Sequence, residues 1–320
     1  MGYRADVHVD GATRHDALAE DVRRGLGDRP KSLPPKYFYD SVGSALFERI
    51  TRLPEYYLTR AEHALLDAHA PGILKEARPD EIVELGAGSP AKFRRLLAAM
   101  NGARARRYVP IDVDGQLLAA SARALLHDHP DLDIHAVVGD FERHLARVPP
   151  AVGRRLIAFL GSTIGNLDPE ARRRLLSEVR RLLGEGDRLL LGMDLVKDTA
   201  ALHAAYDDAE GVTAEFNRNI LRVVNRELRA NFNAEAFRHE ARWNDDASRI
   251  EMHLTADERQ TASVDDLAMT VAVEPGETIW TESCHKFTRA SATALLAESG
   301  LELVSWHTDG AYALAVGAGR

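Results

Sequence analysis

The sequence feature that most constrains the fold is an acid and a glycine turn, Glu84, Gly86 and Gly88, directly after a short apolar run. An apolar run that ends in such a turn predicts a buried strand. Ser89 and Pro90 stand where a helix would begin, as its N-cap and its first residue. A strand, a tight turn and a helix N-terminus together form a common cradle for a nucleotide-bearing cofactor.

The acid before the turn distinguishes between two kinds of cofactor. The spacing of Gly86, Gly88 and Ala91 fits the dinucleotide pattern G-x-G-x-x-G/A. Glu84 lies two residues before the first glycine, where a carboxylate suits a cationic ligand better than a pyrophosphate. S-adenosylmethionine carries a sulfonium and an ammonium, and class I methyltransferases typically show this order of acid and glycines. A glycine turn that serves only strand–helix packing is the alternative.

The composition argues against several classes of protein. A net charge of −8 disfavours nucleic acid as the main partner, because phosphate binding needs a basic surface. The one cysteine, Cys284, excludes an intrachain disulfide. The N-terminal segment lacks the apolar core of a signal peptide, and no run approaches the roughly eighteen apolar residues of a membrane span. We therefore expect a cytoplasmic monomer with neither a membrane nor a nucleic-acid partner.

Apolar and amphipathic segments alternate along the chain, which is typical of strand–helix–strand units around a parallel sheet. The predicted strands are 81–85, 107–111, 134–138, 156–160 and 188–193, and the predicted helices are 59–77, 90–100 and 169–183. A helix at 291–299 and a hairpin of 301–306 and 311–316 resume the pattern. These elements predict an α/β fold with a doubly wound, Rossmann-like sheet of the class I methyltransferase type.

The alternation is interrupted after the strand at 188–193. Residues 197–285 contain a long helical region and two predicted strands, 237–243 and 249–254. Residues 1–59 also lie outside the alternation, and we expect them to pack with this insertion into a second, substrate-binding α+β domain. The methyltransferase domain would then consist of 60–196 and 286–320. A ligand is expected beyond the carboxyl ends of the parallel strands, covered by the second domain.

Polar residues follow the predicted strands at the edge where a ligand would bind. Asp112 stands where an acid accepts the ribose hydroxyls of a cofactor. Asp140 can accept from an adenine amino group, and Phe141 offers a face for the ring. Asn166, in the loop that begins at Gly161, can donate and accept at once, which suits a ligand with an amine and a carboxylate. Each acid alone could be a helix N-cap, but their convergence favours a cofactor site.

The segment 31–60 is rich in aromatic residues, including Tyr39, Phe47 and Tyr56. Hydrophobic anchoring of the segment would explain them. An aromatic face beside a sulfonium or ammonium is also what methyl transfer to an amine would use. The histidines are scattered and show none of the spacings of a metal site, so we expect no bound metal.

Longer motifs make the chain similar to a known family. They are KSLPPKYFYD at 31–40, LPEYYLTR at 53–60, FLGSTIGN at 159–166, DLVKD at 194–198, YDD at 206–208 and FNRN at 216–219. In these motifs the chain resembles the histidine N-alpha-methyltransferases of ergothioneine biosynthesis, over nearly everything after Asp21. Generic methyltransferases share the glycine turn but not the motif at 53–60. The resemblance implies trimethylation of the α-amine of L-histidine to hercynine, with S-adenosylmethionine as methyl donor.

The resemblance also implies roles for particular residues. The resemblance implies cofactor contacts at Tyr39, Phe47, Gly86, Lys92, Asp112, Asp140 and Phe141. We add Gly161 to the predicted cofactor contacts because of its place in the loop. Tyr56, Asn166 and Tyr206 would hold the amino and carboxylate groups of the substrate. Glu282 would face the imidazole. Tyr56 and Asn166 are the predicted catalytic residues, because they would aim the amine at the methyl group.

Two stretches depart from the family pattern. The family usually has serine two residues after the position of Glu282, whereas this chain has Cys284 there and Ser283 one place early. A thiol is a weaker hydrogen-bond partner than a hydroxyl, so imidazole recognition is supported less firmly than amino-acid recognition. The stretch SPAK at 89–92 also differs from the usual threonine-containing version. An N-methyltransferase for another amino acid or small amine is therefore the nearest alternative. A nicotinamide-dependent oxidoreductase and a cofactor-binding regulator without turnover are more distant ones.

Overall fold

The computed structural model of the chain describes residues 2–100 and 106–320, which form two compact units. The first unit comprises residues 2–9, Leu58–Val196 and Phe287–Arg320. The second comprises Asp10–Tyr57 and Lys197–Lys286. Nowhere in these described ranges is a helix both long enough and apolar enough to cross a bilayer.

The strands and helices are numbered in chain order. The strands are β1 (Gly2–Val7), β2 (Lys31–Ser32), β3 (Glu81–Leu85), β4 (Arg107–Asp112), β5 (Asp133–Val138), β6 (Arg155–Phe159), β7 (Arg188–Asp194), β8 (Phe237–Asn244), β9 (Arg249–Ala256), β10 (Gln260–Val264), β11 (Met269–Val273), β12 (Thr278–His285), β13 (Leu301–Thr308) and β14 (Tyr312–Gly319). The helices are α1 (Gly11–Gly27), α2 (Ser41–Ile50), α3 (Leu58–Ala77), α4 (Ala91–Ala99), α5 (Gly115–Asp128), α6 (Phe141–His144), α7 (Pro169–Leu182), α8 (Thr199–Tyr206), α9 (Val212–Glu227) and α10 (Arg289–Glu298).

The first unit is built on one twisted sheet in the order β1-β5-β4-β3-β6-β7-β14-β13. The strands from β1 to β7 in this order run parallel, and β14 and β13 close the sheet as an antiparallel hairpin. From β3 the chain first moves outward through β4 and β5 and then returns to place β6 on the other side of β3. That reversal creates a crevice at the carboxyl ends of β3 and β6, where such sheets bind ligands. The predicted α/β, Rossmann-like fold class is confirmed.

Hydrophobic layers cover both faces of this sheet because successive strand residues point to opposite sides. Val83 belongs to the layer that contains α7 and α10. Its neighbour Ile82 belongs to the layer that contains α3, α4 and α5. Both side chains are fully buried. A strand buried on both faces needs a continuous apolar run rather than an alternating one, which is the pattern of residues 82–83 and 85.

The sequence-based division of the chain was wrong for the first residues. The segment 1–59 was expected to pack with the insertion, yet β1 pairs in parallel with β5 at the edge of the first unit's sheet. Most of this strand is exposed, so it carries no alternating apolar pattern that could have predicted it. The backbone hydrogen bonds of an edge strand need no such pattern.

The start of α4 also differs from the prediction. Ser89 was expected to cap this helix, with Pro90 as the first helical residue. In the structure Pro90 holds the N-cap position and α4 begins at Ala91. The Ser89 hydroxyl is exposed, with its oxygen 3.5 Å from the amide nitrogen of Ala91. The amide groups of this first turn are therefore not closed by a side-chain cap.

The second unit has smaller sheets packed on helices. One sheet has the order β2-β12-β9-β8, and β10 pairs with β11 as a separate hairpin. The amphipathic helix α9 packs against α2 and β8 through an apolar face that includes Phe216, Ile220 and Val224. The predicted long helical region after 197 is divided into α8 and α9. Gly211, with a φ of +72°, lies between them.

A buried ion network joins three neighbouring strands at the amino end of the first unit's sheet. Glu81 on β3 lies directly opposite Arg107 on β4 and Arg155 on β6. The Glu81 carboxylate accepts from Arg107 Nε at 2.7 Å and from Arg155 Nε at 2.6 Å. All three side chains are buried. Removing one member would leave a buried charge without its partner, which is costly.

We expect Glu81→Gln to lower the free energy of unfolding by about 3–5 kcal/mol, because two buried guanidinium groups lose their counter-charge. Urea unfolding followed by circular dichroism measures this change. Arg4→Ala is the matched control, since it breaks an ion pair with Asp133 in the same sheet but at an exposed position. The control substitution should lower the free energy of unfolding by less than about 1 kcal/mol. Equal losses in the two variants would contradict the role of Glu81.

Candidate functional site

The glycine turn after β3 is tied to the end of β4. Gly86 and Gly88 have φ values of +64° and +50°, which glycine adopts without strain. The amide of Gly86 donates to the carbonyl of Ile111 at 2.9 Å, and the amide of Gly88 donates to Asp112 Oδ2 at 3.0 Å. A side chain at Gly86 would lie 3.6 Å from the ring of Phe141. The structure therefore brings Gly86, Asp112 and Phe141 together.

Asp112 accepts hydrogen bonds from backbone amides with both carboxylate oxygens. Its Oδ1 accepts from the amide of Asp114 at 3.0 Å, beside the bond from Gly88 to Oδ2. Burial raises the pKa of the Asp112 carboxyl above its usual range, and the amide donors oppose that shift. Each carboxylate oxygen has a further lone pair. Asp112 can therefore accept ribose hydroxyls as well, and this role stays a prediction.

Asp140 has the structural role of a helix N-cap, which was the alternative to a cofactor contact. It is the N-cap of α6, and its Oδ1 accepts from the amide of Glu142 at 2.9 Å. Phe141, the first residue of α6, is half-buried and meets Phe159 edge-on, with ring centroids 5.3 Å apart. The cap fixes the direction of α6, so Asp140 places Phe141 beside the turn at Gly86. Their predicted adenine contacts remain untested.

Glu84 is the most unusual group at this edge. Its side chain is fully buried, and the Tyr108 hydroxyl donates to Oε2 at 2.5 Å. Across the described part of the chain, no donor reaches its Oε1. Burial raises the pKa of Glu84 to about 7, against the opposing effect of the Lys92 ammonium. Near neutral pH this carboxyl group is therefore poised to ionise when a positive charge approaches.

Lys92 and Gly161 come from different elements and lie side by side. Lys92 is on α4, and Gly161 begins the turn after β6 with a φ of +77°. A side chain at Gly161 would lie only 2.9 Å from Lys92 Nζ. Both residues also interact with the buried carboxylate of Glu62. The sequence analysis overlooked Glu62, although its place on the inward face of α3, among Leu58, Leu65 and Leu66, was a visible signal.

The loop after β6 places Asn166 at the end of a short helical turn. Ser162 has a φ of +55°, uncommon for a residue with a side chain, and its hydroxyl accepts from the amide of Asp194 at 2.9 Å. The loop is therefore fixed to the end of β7. A 3₁₀ turn follows at Thr163–Asn166, and Asn166 is half-buried at its end. The position is compatible with the predicted role of Asn166 and does not test it.

In the second unit, aromatic residues named from the sequence form a continuous series. The ring centroids of Tyr39 and Phe47 are 5.6 Å apart, and those of Phe47 and Tyr56 are 6.1 Å apart. Tyr56 meets Tyr206 at 6.4 Å. All three pairs are edge-on, a geometry that adds about 0.5–1.5 kcal/mol per pair beyond area burial. Four predicted site residues are thus neighbours.

Glu282 and Cys284 lie on β12, and a register shift between Trp280 and Glu282 re-aims the strand. Being two residues apart on one strand, they share a face. Bulges of this kind are frequent beside functional sites. Lys286, which the sequence analysis missed, donates to Cys284 Sγ at 3.1 Å and to the Tyr206 hydroxyl at 2.9 Å. The buried ammonium of Lys286 therefore links Cys284, where the chain departs from the family pattern, to Tyr206, a predicted substrate-binding residue.

A buried polar network fixes Tyr206 from its other side. His239 Nε2 lies 2.7 Å from the Tyr206 carbonyl oxygen, and Asn217 Nδ2 lies 2.8 Å from His239 Nδ1. Because the amide of Asn217 can only donate there, His239 carries its proton on Nε2 and donates to the carbonyl. Burial lowers the pKa of His239, which favours this neutral form. Within residues 2–100 and 106–320, no group of three or more histidine, cysteine or acidic side chains could hold a metal ion.

Comparison with known proteins points to one family. The sequence model described as "Histidine-specific methyltransferase, SAM-dependent" matches residues 18–317. A histidine N-alpha-methyltransferase of Mycobacterium tuberculosis is 50% identical over 94% of this chain and 94% of its own length. The histidine N-alpha-methyltransferase of Mycolicibacterium smegmatis is 52% identical to this chain over 92% of each sequence. "Ergothioneine biosynthesis protein 1" of Neurospora crassa is 30% identical over 88% of this chain and 32% of its own length.

The raised pKa of Glu84 predicts a pH-dependent stability. The unfolded chain releases this proton near pH 4.5, whereas the folded chain keeps it to about pH 7. The protonated Glu84 carboxyl therefore makes its full contribution to the free energy of unfolding below pH 4.5. This contribution is lost as the pH rises to about 7, a difference of about 3 kcal/mol. Urea unfolding should therefore show Glu84→Gln gaining stability relative to the native chain from pH 5 to pH 8. Glu170→Gln, at an exposed position on α7, is the control. A pH-independent difference for Glu84→Gln would contradict the assignment.

Proposed function

The chain belongs to the family of histidine-specific methyltransferases that depend on S-adenosylmethionine, and from this premise we propose that it trimethylates the α-amine of L-histidine. The product is N,N,N-trimethylhistidine, or hercynine. The observation that carries the proposal is the 50% identity with a histidine N-alpha-methyltransferase over 94% of both chains. The similarity to an ergothioneine biosynthesis protein supports a place in that pathway.

The first unit offers groups suited to the methyl donor. Asp112 can accept ribose hydroxyls with its remaining lone pairs, and Phe141 offers a ring face beside the glycine turn. Glu84 supplies a buried carboxyl that a nearby positive charge would hold in its ionised form. Lys92 supplies an ammonium suited to a carboxylate. These groups are complementary to a ligand that has a ribose, a sulfonium, an ammonium and a carboxylate.

The reaction is a displacement at the methyl carbon, repeated three times. The nitrogen lone pair forms the new N–C bond while the C–S bond breaks and its electron pair stays on sulfur, leaving neutral S-adenosylhomocysteine. The amine loses one proton before each attack, so the ammonium of free histidine loses three protons in total. S-adenosylmethionine supplies the activated methyl group. Holding the amine in line with that group is worth up to about 7–11 kcal/mol in favourable systems.

The residues of the chain orient the amine, and the sulfonium of the methyl donor favours its neutral form. We assign Tyr56 and Asn166 to the amine and Tyr206 and Asn166 to the carboxylate. The pKa of an α-amino group lies at about 8 or above, so most of the amine is protonated at neutral pH. A sulfonium a few ångströms away disfavours the protonated form and lowers that pKa. Bulk water can take the released protons.

The direct test is product analysis with the purified protein. S-adenosylmethionine is supplied with histidine or with each of the other amino acids and small amines in turn, and products are identified by mass spectrometry. The proposal predicts hercynine, with three molecules of S-adenosylhomocysteine formed per histidine. Cys284 is the reason for including other acceptors. Preferential methylation of another amine would contradict the proposal and support the alternative, an N-methyltransferase for another amino acid or small amine.

Asn166→Ala should reduce kcat at least 100-fold, because the amine and the carboxylate both lose a ligand that orients them. Binding of S-adenosylmethionine, followed by calorimetry, should change less than about threefold. Asn231→Ala, in a loop of the second unit, is the control and should leave both quantities unchanged. Full turnover in Asn166→Ala would remove Asn166 from the site.

Glu282→Ala should raise the KM for histidine by about 10-fold or more, because the imidazole loses a charged acceptor. The dissociation constant for S-adenosylmethionine should not change. Steady-state kinetics at varied histidine and calorimetry with the methyl donor separate the two effects. Glu227→Ala, an exposed position on α9, is the control. Parallel losses in histidine and cofactor binding would exclude imidazole recognition by Glu282.

A further inference from the structure

Glu62 is a buried carboxylate that neither the sequence motifs nor the proposed mechanism uses. It lies on α3 with 2% of its surface exposed. Its Oε1 accepts from the Gly161 amide at 2.6 Å and from the Tyr312 hydroxyl at 2.7 Å. Its Oε2 lies 3.6 Å from Lys92 Nζ. One side chain thus joins α3 to α4, to β14 and to the turn that follows β6.

Two of these partners are predicted cofactor contacts. Gly161 and Lys92 flank the crevice between β3 and β6, one after β6 and the other on α4. Lysine side chains lose up to about 2 kcal/mol of conformational entropy when they are fixed in one position. An ion pair to a buried carboxylate fixes the ammonium before the ligand arrives, so the ligand does not bear that cost. Glu62 also sets the direction of the Gly161 amide.

The neighbouring strand leaves room for this carboxylate. A side chain at Gly192 on β7 would lie 2.3 Å from Glu62 Oε1 and 2.7 Å from the Tyr312 hydroxyl. Because neither atom can move away without losing its hydrogen bond, any larger residue at this position would displace the Glu62 network. Gly192 has an ordinary backbone conformation, so a turn does not explain the glycine. The space on β7 therefore fits a carboxylate that is held in one place.

We propose that Glu62 is a positioning residue for the methyl donor, which holds the Lys92 ammonium and the Gly161 amide in the arrangement that S-adenosylmethionine binds. Glu62 itself contacts neither the donor nor the acceptor in this assignment. The inference rests on the proposed function only in its choice of ligand. It requires no particular acceptor amine.

The first test compares Glu62→Gln with Tyr312→Phe. Glutamine keeps an oxygen for Gly161 and Tyr312 but removes the charge that holds Lys92. We expect Glu62→Gln to weaken S-adenosylmethionine binding, measured by calorimetry without histidine, by about 10-fold or more. Tyr312→Phe removes one bond from the same carboxylate and leaves the Lys92 pair, so binding should stay within about twofold even where Tm falls. Equal losses of affinity in the two variants would indicate a merely structural role and overturn the proposal.

The second test is a double-mutant cycle with Lys92→Met. If Glu62 acts through Lys92, then Glu62→Gln should weaken binding by less than about threefold in the Lys92→Met background. The full 10-fold loss in that background would overturn the proposal. Glu62→Asp, which keeps the charge but withdraws it from Lys92 and Gly161, replaces Glu62→Gln if that variant does not fold. Unchanged affinity in Glu62→Asp would then count against the role.

If the proposed function is wrong, the experiments give a different result from the one expected if the role of Glu62 is wrong. A native protein that binds S-adenosylmethionine but leaves histidine unmethylated would contradict the choice of acceptor. The Glu62 tests would still apply to it, since they measure cofactor binding alone. Native-like affinity in Glu62→Gln would overturn the positioning role whichever amine is methylated.

Discussion

Glu84 and Glu62 are both buried in the first unit, and the ammonium of Lys92 acts on both. Burying a charge costs several kcal/mol unless partners compensate for it. The chain supplies those partners from well-separated positions: the hydroxyls of Tyr108 and Tyr312 and the amide of Gly161. Gly161 follows the parallel strand β6, Tyr312 begins the antiparallel strand β14 opposite the end of β7, and Tyr108 reaches Glu84 from the start of β4. The glycine at position 192 and the raised pKa of Glu84 both reflect this burial of carboxyl groups.

The sequence predicted those parts of the fold that depend on local pattern. The bounds of β3 were predicted as 81–85, since an apolar run ends there at a glycine turn. Gly86, Asp112 and Phe141 were predicted to meet, and they do, because each lies at or just after the carboxyl end of a parallel strand. β1 could not be predicted, because most of its side chains are exposed and its pairing with β5 needs no periodic apolar pattern.

The residues that the sequence analysis missed have partners far away in the chain. Glu62 bonds to residues 99 and 250 positions away, and Lys286 bonds to Tyr206 at a separation of 80. No spacing rule connects such positions. Each could have been noted only as a charged residue in an apolar context, such as the inward face of α3. What they hold in place becomes visible only in three dimensions.

The second unit contains Tyr56, Tyr206, Glu282 and Cys284, which are residues proposed to bind the acceptor. Tyr39, Phe47, Tyr56 and Tyr206 form one aromatic series, and Lys286 joins Tyr206 to Cys284. The Cys284 sulfur therefore accepts a hydrogen bond from a buried ammonium. This contact gives a physical reason why cysteine can stand where the family usually has serine.

The most direct test of this account is the number of protons released when S-adenosylmethionine binds. Calorimetry at pH 6.5 in two buffers with different ionisation enthalpies measures this number. Glu84 is largely protonated at that pH, and a cationic ligand should drive its ionisation. The account predicts proton release by the native chain that is lost in Glu84→Gln. Equal proton release in both proteins, or none in either, would contradict it.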